Sequence, residues 1–219
     1  MTSFDVHIIV RSLPFLWKGM QLSIALAVYS AVVGISMGVV LAIMRLSSIR
    51  PLAWLSYVYV NLLRSVPLLL ILLWFYLLVP LLTGHPVGAF SSALIAFAMF
   101  EAAYYAEIIR AGIESIPARQ SQAALSTGLT RWQAMRHVVL PQAFANMTPS
   151  LLAQGILLFM DTSLVVVVGL RDFMATASII ATQQARVVEL YTFVALVYFV
   201  ICFAASRAVG LLRRRVSAA

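Results

Sequence analysis

Charged residues are scarce in this chain of 219 amino acids, of which only 10% are Asp, Glu, Lys or Arg. A soluble domain carries about 25% charged and roughly 45–50% apolar residues, whereas 63% of this chain is hydrophobic. A soluble globule of this size must still cover itself with polar surface, so a buried core does not account for the excess. The composition therefore predicts a protein whose apolar surface faces a lipid bilayer.

The chain is also short of the residues on which disulfides, nucleotide binding and metal binding depend. Its one cysteine, Cys202, lies in an apolar run and has no partner for an internal disulfide. Its one lysine, Lys18, does not belong to a Gly-x-x-x-x-Gly-Lys-Ser/Thr loop, which argues against a P-loop ATPase. The three histidines lie in separate segments without metal-ligand spacing. No cofactor is expected on this chain.

Five apolar stretches are predicted to span the membrane, since a helix crosses the hydrocarbon layer of roughly 30 Å with about 20 residues. Residues 52–64 form a mixed stretch that either extends the second span or lies at the interface. Gly34 and Gly38 are four apart, which lets a neighbouring helix approach closely or arises by chance. Residues 1–219 are predicted to form one transmembrane domain. The five stretches are residues 19–44, 67–82, 89–113, 151–170 and 188–212.

The basic residues predict the orientation of the chain. With the N-terminus outside, eleven of them fall on the inner side and four on the outer side. Cytoplasmic loops carry an excess of Lys and Arg, so the N-terminus is predicted outside and the C-terminus inside. The net charge of +8 then reflects cytoplasmic loops and lipid headgroups rather than nucleic acid. The inner residues are Arg45, Arg50, Arg64, Arg110, Arg119, Arg131, Arg136, Arg207, Arg213, Arg214 and Arg215; the outer ones are Arg11, Lys18, Arg171 and Arg186.

The predicted cytoplasmic loop, about residues 114–150, is the most polar stretch of the chain. It is predicted to form two short helices joined by a turn. Gly128 ends the first helix, Thr130 and Gln133 form a capping box at the start of the second, and Pro141 ends it. Such a hairpin suits docking into a groove of a partner, and a solvated connector is the alternative.

One segment of this loop resembles the EAA loop of ABC importer permeases. The pattern of that family is Glu-Ala-Ala, three residues, Gly, nine residues, Ile, one residue and Leu-Pro. The spacing here is the same, with Gln in place of the Glu and Val in place of the Ile. Gln keeps hydrogen-bonding capacity and loses the charge of Glu. The matching residues are Gln122, Ala123, Ala124, Gly128, Val138, Leu140 and Pro141.

Further segments resemble the polar amino acid branch of this family: residues 64–69, 101–113 and 161–164. Within the branch, residues 44–48, 73–76 and 100–110 are most similar to a glutamate/aspartate permease subunit. The resemblance implies an all-α membrane protein of the type I ABC importer permease fold in the bacterial inner membrane.

The resemblance also implies partners. Such a permease pairs with a second permease subunit, a sister chain or a second copy, and the similarity favours a sister chain. Two ATPase subunits bind below and use ATP and Mg, and a periplasmic amino acid-binding protein delivers substrate. Residues implied to couple to the ATPase are Gln122, Ala123, Ala124, Gly128, Leu140 and Pro141.

Charged residues inside the membrane are costly, so each calls for a reason. Glu107 and Arg110 are three apart on one helix face, which favours a structural ion pair or subunit contact over substrate contact. Glu101 lies deeper in the third span and is a candidate for the substrate pathway. Tyr104 and Tyr105 flank these polar residues, so one of them is a further candidate.

Asp161 lies midway along the fourth predicted span and is followed by Thr162 and Ser163. Hydroxyl side chains beside it could cap a local break, and broken helices line binding sites in transporters. These three residues are therefore candidates for the pathway, and a structural cap is the alternative. An acidic substrate would bind Asp161 through its α-amino group, or the sister chain would supply the cation.

Two other classes of protein compete with the importer hypothesis. An ion-coupled secondary transporter or channel would use Glu101 and Asp161 without ATP, but no inverted repeat is visible in the sequence. A membrane-embedded enzyme would need a His-Glu-x-x-His site or a serine beside a base. The sequence contains no such metalloprotease motif, and Ser163 has no histidine in its span.

Overall fold

The computed structural model describes residues 5–218, and the side chains of residues 5–214. The side chain of Arg215 therefore lies outside the described residues. All regular elements in this described part are helical. In chain order they are α1 (Val6–Leu46), α2 (Arg50–Arg64), α3 (Leu68–Leu73), a π-helical turn (Trp74–Leu78), α4 (Val79–Thr83), α5 (Ala89–Glu114), α6 (Ala118–Ser126), α7 (Arg131–Ala134), a second π-helical turn (Met135–Val139), α8 (Leu140–Asp161), a 3-10 segment (Thr162–Val168), α9 (Phe173–Gln183) and α10 (Val187–Ala218).

Long apolar helices dominate the described part of the chain. Four are long and apolar enough to cross a membrane: Val6–Leu46, Ala89–Glu114, Arg131–Val168 and Val187–Arg214. A fifth candidate span joins α2 to the apolar stretch Leu68–Thr83 across a break at residues 65–67. The mixed stretch 52–64 thus lies in a helix of its own. The all-α architecture implied by the resemblance is confirmed for the described residues.

The prediction that Pro141 ends the second loop helix is wrong. The helical segment that starts at Arg131 continues to Val168, so the fourth span begins about twenty residues before its predicted start. Pro141 lacks a backbone N–H and its ring crowds the carbonyl four residues back. The π-helical turn at Met135–Val139 lies immediately before it, and its wider i→i+5 pattern accommodates the proline without a break.

The chain divides into two compact units. The first unit comprises the chain up to Val32, Val66–Ala98 and Gly155–Ser206; the second comprises Val33–Ser65, Met99–Gln154 and the chain from Arg207.

Asp172 organises the first unit at the start of α9. Its carboxylate accepts hydrogen bonds from the backbone N–H groups of Met174 (3.1 Å) and Ala175 (2.8 Å), which caps the helix. Gly19 of α1 lies against it, since an added Cβ would meet the Asp172 carbonyl oxygen at 2.6 Å. Burial raises the pKa of the Asp172 carboxyl to about 6. The core beside this cap consists of Leu16, Met20, Phe173, Ala177, Ala181, Leu190 and Val194.

Close helix approach organises the second unit. A Cβ added at Gly38 would lie 2.8 Å from the Cβ of Tyr105 and 3.2 Å from the carbonyl oxygen of Ala102, so α1 and α5 pack backbone to backbone here. The hydroxyl of Ser56 donates to the carbonyl of Leu41 (2.7 Å), which ties α2 to α1. The packing alternative for the glycine pair is therefore the correct one at Gly38.

We expect Gly38→Val to lower the stability of the folded protein. The added side chain has no room beside Tyr105, and overpacking of this kind costs about 1–3 kcal/mol. Gly155→Val is the matched control, because nothing lies within 4 Å of a Cβ at Gly155 in α8. Thermal unfolding in detergent should show a lower Tm for the Gly38 variant alone. Equal Tm values for both variants would contradict the close packing of α1 on α5.

Candidate coupling and transport sites

The end of α6 forms a complete C-terminal capping motif around Gly128. Its N–H donates to the carbonyl of Leu125 (3.0 Å), and the N–H of Leu129 donates to the carbonyl of Ala124 (3.4 Å). This pair of bonds is the Schellman arrangement, which requires a left-handed residue after the helix. Gly128 supplies it with a φ of +91°. The turn thereby fixes the direction in which the chain leaves the Ala123-Ala124 pair.

The second helix of the hairpin starts at the predicted capping box. The Thr130 hydroxyl oxygen accepts from the Gln133 N–H (3.3 Å), and the Gln133 side-chain oxygen accepts from the Thr130 N–H (2.8 Å). Both reciprocal bonds satisfy donors that a helix start leaves unpaired. α6 packs against the segment that this box starts. The first predicted loop helix, the turn and the start of the second helix are therefore confirmed.

The hairpin exposes a surface that the sequence pattern identified only in part. Gln122 and Ala123 are exposed, whereas Ala124 is buried within the hairpin. Trp132 is 68% exposed and Leu125 is 38% exposed. Such a large exposed aromatic beside a polar helix is a common mark of a protein interface. Sequence reasoning missed Trp132, since a lone Trp carries no motif and its exposure depends on the turn.

Glu107 and Arg110 form the expected contact on α5. The Arg110 Nε lies 3.1 Å from Glu107 Oε2, and a second guanidinium nitrogen binds Glu107 Oε1. Glu114, one turn further, also binds Arg110. Two carboxylates thus hold one guanidinium, in a geometry that Arg favours. Glu114 was not predicted to join this pair, although its i,i+4 spacing from Arg110 is a local signal for the contact.

Glu101 lies in a buried polar pair within the second unit. The side-chain nitrogen of Gln154 in α8 lies 3.2 Å from each carboxylate oxygen of Glu101. Glu101 is 0% exposed and Gln154 is 8% exposed. Gln154 was missed by the sequence analysis, because a residue 53 positions away gives no local signal. The pair places a hydrogen-bonding carboxylate in the interior of a membrane protein.

The two tyrosines after Glu101 have different environments in the second unit. Tyr105 is 1% exposed and packs at the α1 contact. Tyr104 packs against Phe100, with ring centroids 4.9 Å apart. The guanidinium carbon of Arg64 lies 5.3 Å from the Tyr104 ring centroid, which is a cation–π distance. Of the two tyrosines, Tyr104 is therefore the one whose ring lies against a cation.

Asp161 marks a change of helix type in the first unit. α8 ends at Asp161, and residues Thr162–Val168 continue as a 3-10 segment. Thr162 donates its hydroxyl to the carbonyl of Phe159 (2.7 Å), and Ser163 donates to that of Met160 (2.9 Å). These bonds satisfy carbonyls at the end of α8. Among the described residues, the half-buried Asp161 carboxylate has neither a hydrogen bond nor a counter-charge.

Known proteins match nearly the whole chain. The family model described as "Binding-protein-dependent transport system inner membrane component" matches residues 30–218. The glutamate/aspartate import permease protein GltK of Escherichia coli O157:H7 is 50% identical, covering 98% of this chain and 99% of that protein. The arginine transport system permease protein ArtQ of Bacillus subtilis (strain 168) is 32% identical and covers 91% of each chain.

Two solved structures share the fold. An amino acid ABC transporter crystallised with histidines has a chain that is 34% identical, with a TM-score of 0.91 over 98% of this chain and all of that chain. An inward-facing structure of the MetNI methionine ABC transporter has a TM-score of 0.69 at 20% identity, covering 99% of each chain. The helical architecture described above is thus that of ABC importer permeases.

Proposed function

This chain belongs to the family of inner-membrane components of binding-protein-dependent transport systems, and we propose that it serves an ATP-driven importer of glutamate and aspartate. Members of this family are permease subunits that work with an ATPase and a substrate-binding protein. The substrate assignment is supported by the 50% identity to a glutamate/aspartate import permease over nearly the full chain. The observation that carries the coupling mechanism is the capped α6–α7 hairpin with its exposed face.

The hairpin is proposed to transmit ATP-driven motion to the spans. The end of α6 is fixed by the Schellman turn at Gly128, and α7 continues through Pro141 into α8 without a loop. A push on the hairpin is therefore passed to the fourth span, because the connection is helical and has no flexible hinge. This chain takes its energy from a partner ATPase that binds ATP and Mg. Residues proposed to couple to that ATPase are Gln122, Ala123, Ala124, Gly128, Leu140 and Pro141; Ala124 is buried within the hairpin and acts through its packing.

The proposed orientation puts the N-terminus outside and the hairpin in the cytoplasm. It is supported by the eleven-to-four distribution of basic residues, and it places the hairpin where an ATPase has access to ATP. The second permease subunit is proposed to be a sister chain, because the similarity to a glutamate/aspartate permease subunit favours one. A second copy of this chain is the alternative.

Candidates for the substrate pathway are proposed within each unit separately. In the second unit the candidates are Glu101 with Tyr104 and Tyr105; in the first unit they are Asp161 with Thr162 and Ser163. The unpartnered Asp161 carboxylate suits the α-ammonium group of an amino acid. The Glu107–Arg110 pair is proposed to be structural, since its charges already neutralise each other.

We expect Asp161→Asn to lower the kcat/KM of glutamate uptake at least about tenfold, since a lost charge-assisted contact costs about 1.4 kcal/mol or more. ATPase binding should be retained, because Asp161 lies in a different unit from the hairpin. The control for the loss of a carboxylate charge is Glu114→Gln. Asp172→Asn is unsuitable, because Asp172 caps α9. Unchanged uptake kinetics in proteoliposomes would remove Asp161 from the pathway.

ATP dependence separates the importer from the ion-coupled alternative. Uptake of labelled glutamate is measured in cells that lack other glutamate transporters, with ATP depleted and the ion gradient held constant. The proposal requires uptake to stop. Uptake that persists without ATP would favour a secondary transporter, in which Glu101 and Asp161 would serve ion coupling.

A further inference from the structure

The first unit contains a cavity of about 1060 Å³ between the N-terminal part of α1 and α9. One face of α1 lines it, because Arg11, Phe15, Lys18 and Leu22 recur at helical spacing. Arg171 and Arg186 line it from the two ends of the α9 segment. All four basic residues that the sequence places on the outer side thus converge on one cavity.

Most of these cations have no counter-ion among the residues that the structure describes. Arg186 binds Glu189 Oε1 at 2.9 Å. In contrast, Arg11, Lys18 and Arg171 form no ion pair with any residue that the structure describes. Arg110 in the second unit is neutralised in the usual way, because two carboxylates bind its guanidinium. Three unneutralised cations around one cavity create a positive potential that attracts anions.

Their position also calls for an explanation. Lys and Arg are in the minority on the outer side, and all four of them line this one cavity. α1 has 41 residues, which corresponds to about 60 Å, twice the hydrocarbon thickness. With the first span at residues 19–44, Lys18 lies at the outer boundary of the hydrocarbon layer, and Arg11 lies about 12 Å beyond it.

Arg11 thus lies beyond the headgroup layer, which adds only about 5–8 Å on each side, and this favours a water-soluble anion over a phospholipid headgroup. The candidates for the pathway on this chain are acidic or neutral, so they do not supply cations for the carboxylates of an acidic substrate. The basic residues that line the cavity do supply such cations. It also contains one carboxylate, Asp5, which faces the same space and accepts a hydrogen bond from the His7 N–H at 2.9 Å.

We propose that this cavity is an outer binding site for the acidic amino acid, with Arg11, Lys18 and Arg171 binding its two carboxylates. Asp5 binds the ammonium group. Each charged group of the amino acid, two carboxylates and one ammonium, then faces a side chain of opposite charge. This inference rests on the proposed function, because it takes glutamate or aspartate as the substrate. It adds a site that captures the amino acid on the outer side before it enters the spans.

The test uses the whole transporter in nanodiscs without its binding protein. Glutamate binding is measured by calorimetry at low salt, because surface charges are screened at high salt. The variant is R11Q/K18Q, and the matched control is R50Q/R214Q, which removes two exposed cations elsewhere. We expect the variant to bind glutamate at least about tenfold more weakly and the control to bind like the unmodified complex. The loss of affinity should be smaller for glutamine, which has one carboxylate in place of two.

Other results would overturn the proposal. If the unmodified complex imports glutamate but binds none without the binding protein, the site is absent while the proposed function stands. If glutamate affinity is unchanged and the affinity for the binding protein falls, the cavity is a protein docking surface. If native mass spectrometry shows that the variant instead loses a bound anionic phospholipid, the occupant is a lipid. If the unmodified complex imports no glutamate, the proposed function itself fails.

Discussion

Replacing Gly128 with valine is expected to reduce ATP-driven uptake at least about tenfold while leaving membrane insertion intact. The residue holds a φ of +91°, which a β-branched side chain adopts only with strain. Strain of this kind costs about 1–3 kcal/mol, and the turn would relax away from it. The two Schellman hydrogen bonds would then be lost, and α6 would leave its place against the second helix. The measurement is uptake in proteoliposomes beside quantification of the inserted chain.

Gly128→Asn is the matched control for this prediction. Asn tolerates the left-handed region better than any β-branched residue, so this variant should retain most of the uptake. Nothing lies within 4 Å of a Cβ at this position, which removes steric contact as an explanation of any loss. Valine and asparagine variants with equal activity would show that the shape of the turn does not control coupling.

Trp132→Ala is expected to weaken binding of the ATPase about thirtyfold. Truncating a central aromatic at an interface costs about 2 kcal/mol or more, and Trp132 is the exposed aromatic of the hairpin at 68% exposure. The affinity is measured by titrating purified ATPase onto the permease complex in nanodiscs. Trp54→Ala in α2 is the control, since Trp54 is 65% exposed in the same unit. If both variants bind the ATPase with the affinity of the unmodified complex, the hairpin face does not dock through this side chain.

Helix capping explains why the hairpin could be predicted from the sequence. The glycine after α6 allows the capping bonds at the end of that helix. The Thr three residues before a Gln forms the capping box at the start of the next helix. In both cases the hydrogen-bonded residues are only a few positions apart. Such signals do not depend on the rest of the fold, and the structure contains both at Gly128 and Thr130. The apolar spans were predictable for a similar reason, because the length of an apolar run is local information.

The missed features depend on residues far apart in the chain. Gln154 reaches Glu101 across 53 positions, and the cations of the outer cavity come together from α1 and the region around α9. The continuation of α8 through Pro141 was missed for another reason. A proline signals a helix end in general, and the π-helical turn that accommodates it has no simple signature in the sequence.

Co-purification tests the central claim most directly. The chain is isolated from native membranes in mild detergent, and its partners are identified by mass spectrometry. The account predicts that an ATPase with a P-loop and a second permease subunit are recovered with it in stoichiometric amounts. Recovery of a stable chain without an ATPase would contradict the account, because a permease of this kind has no other source of energy.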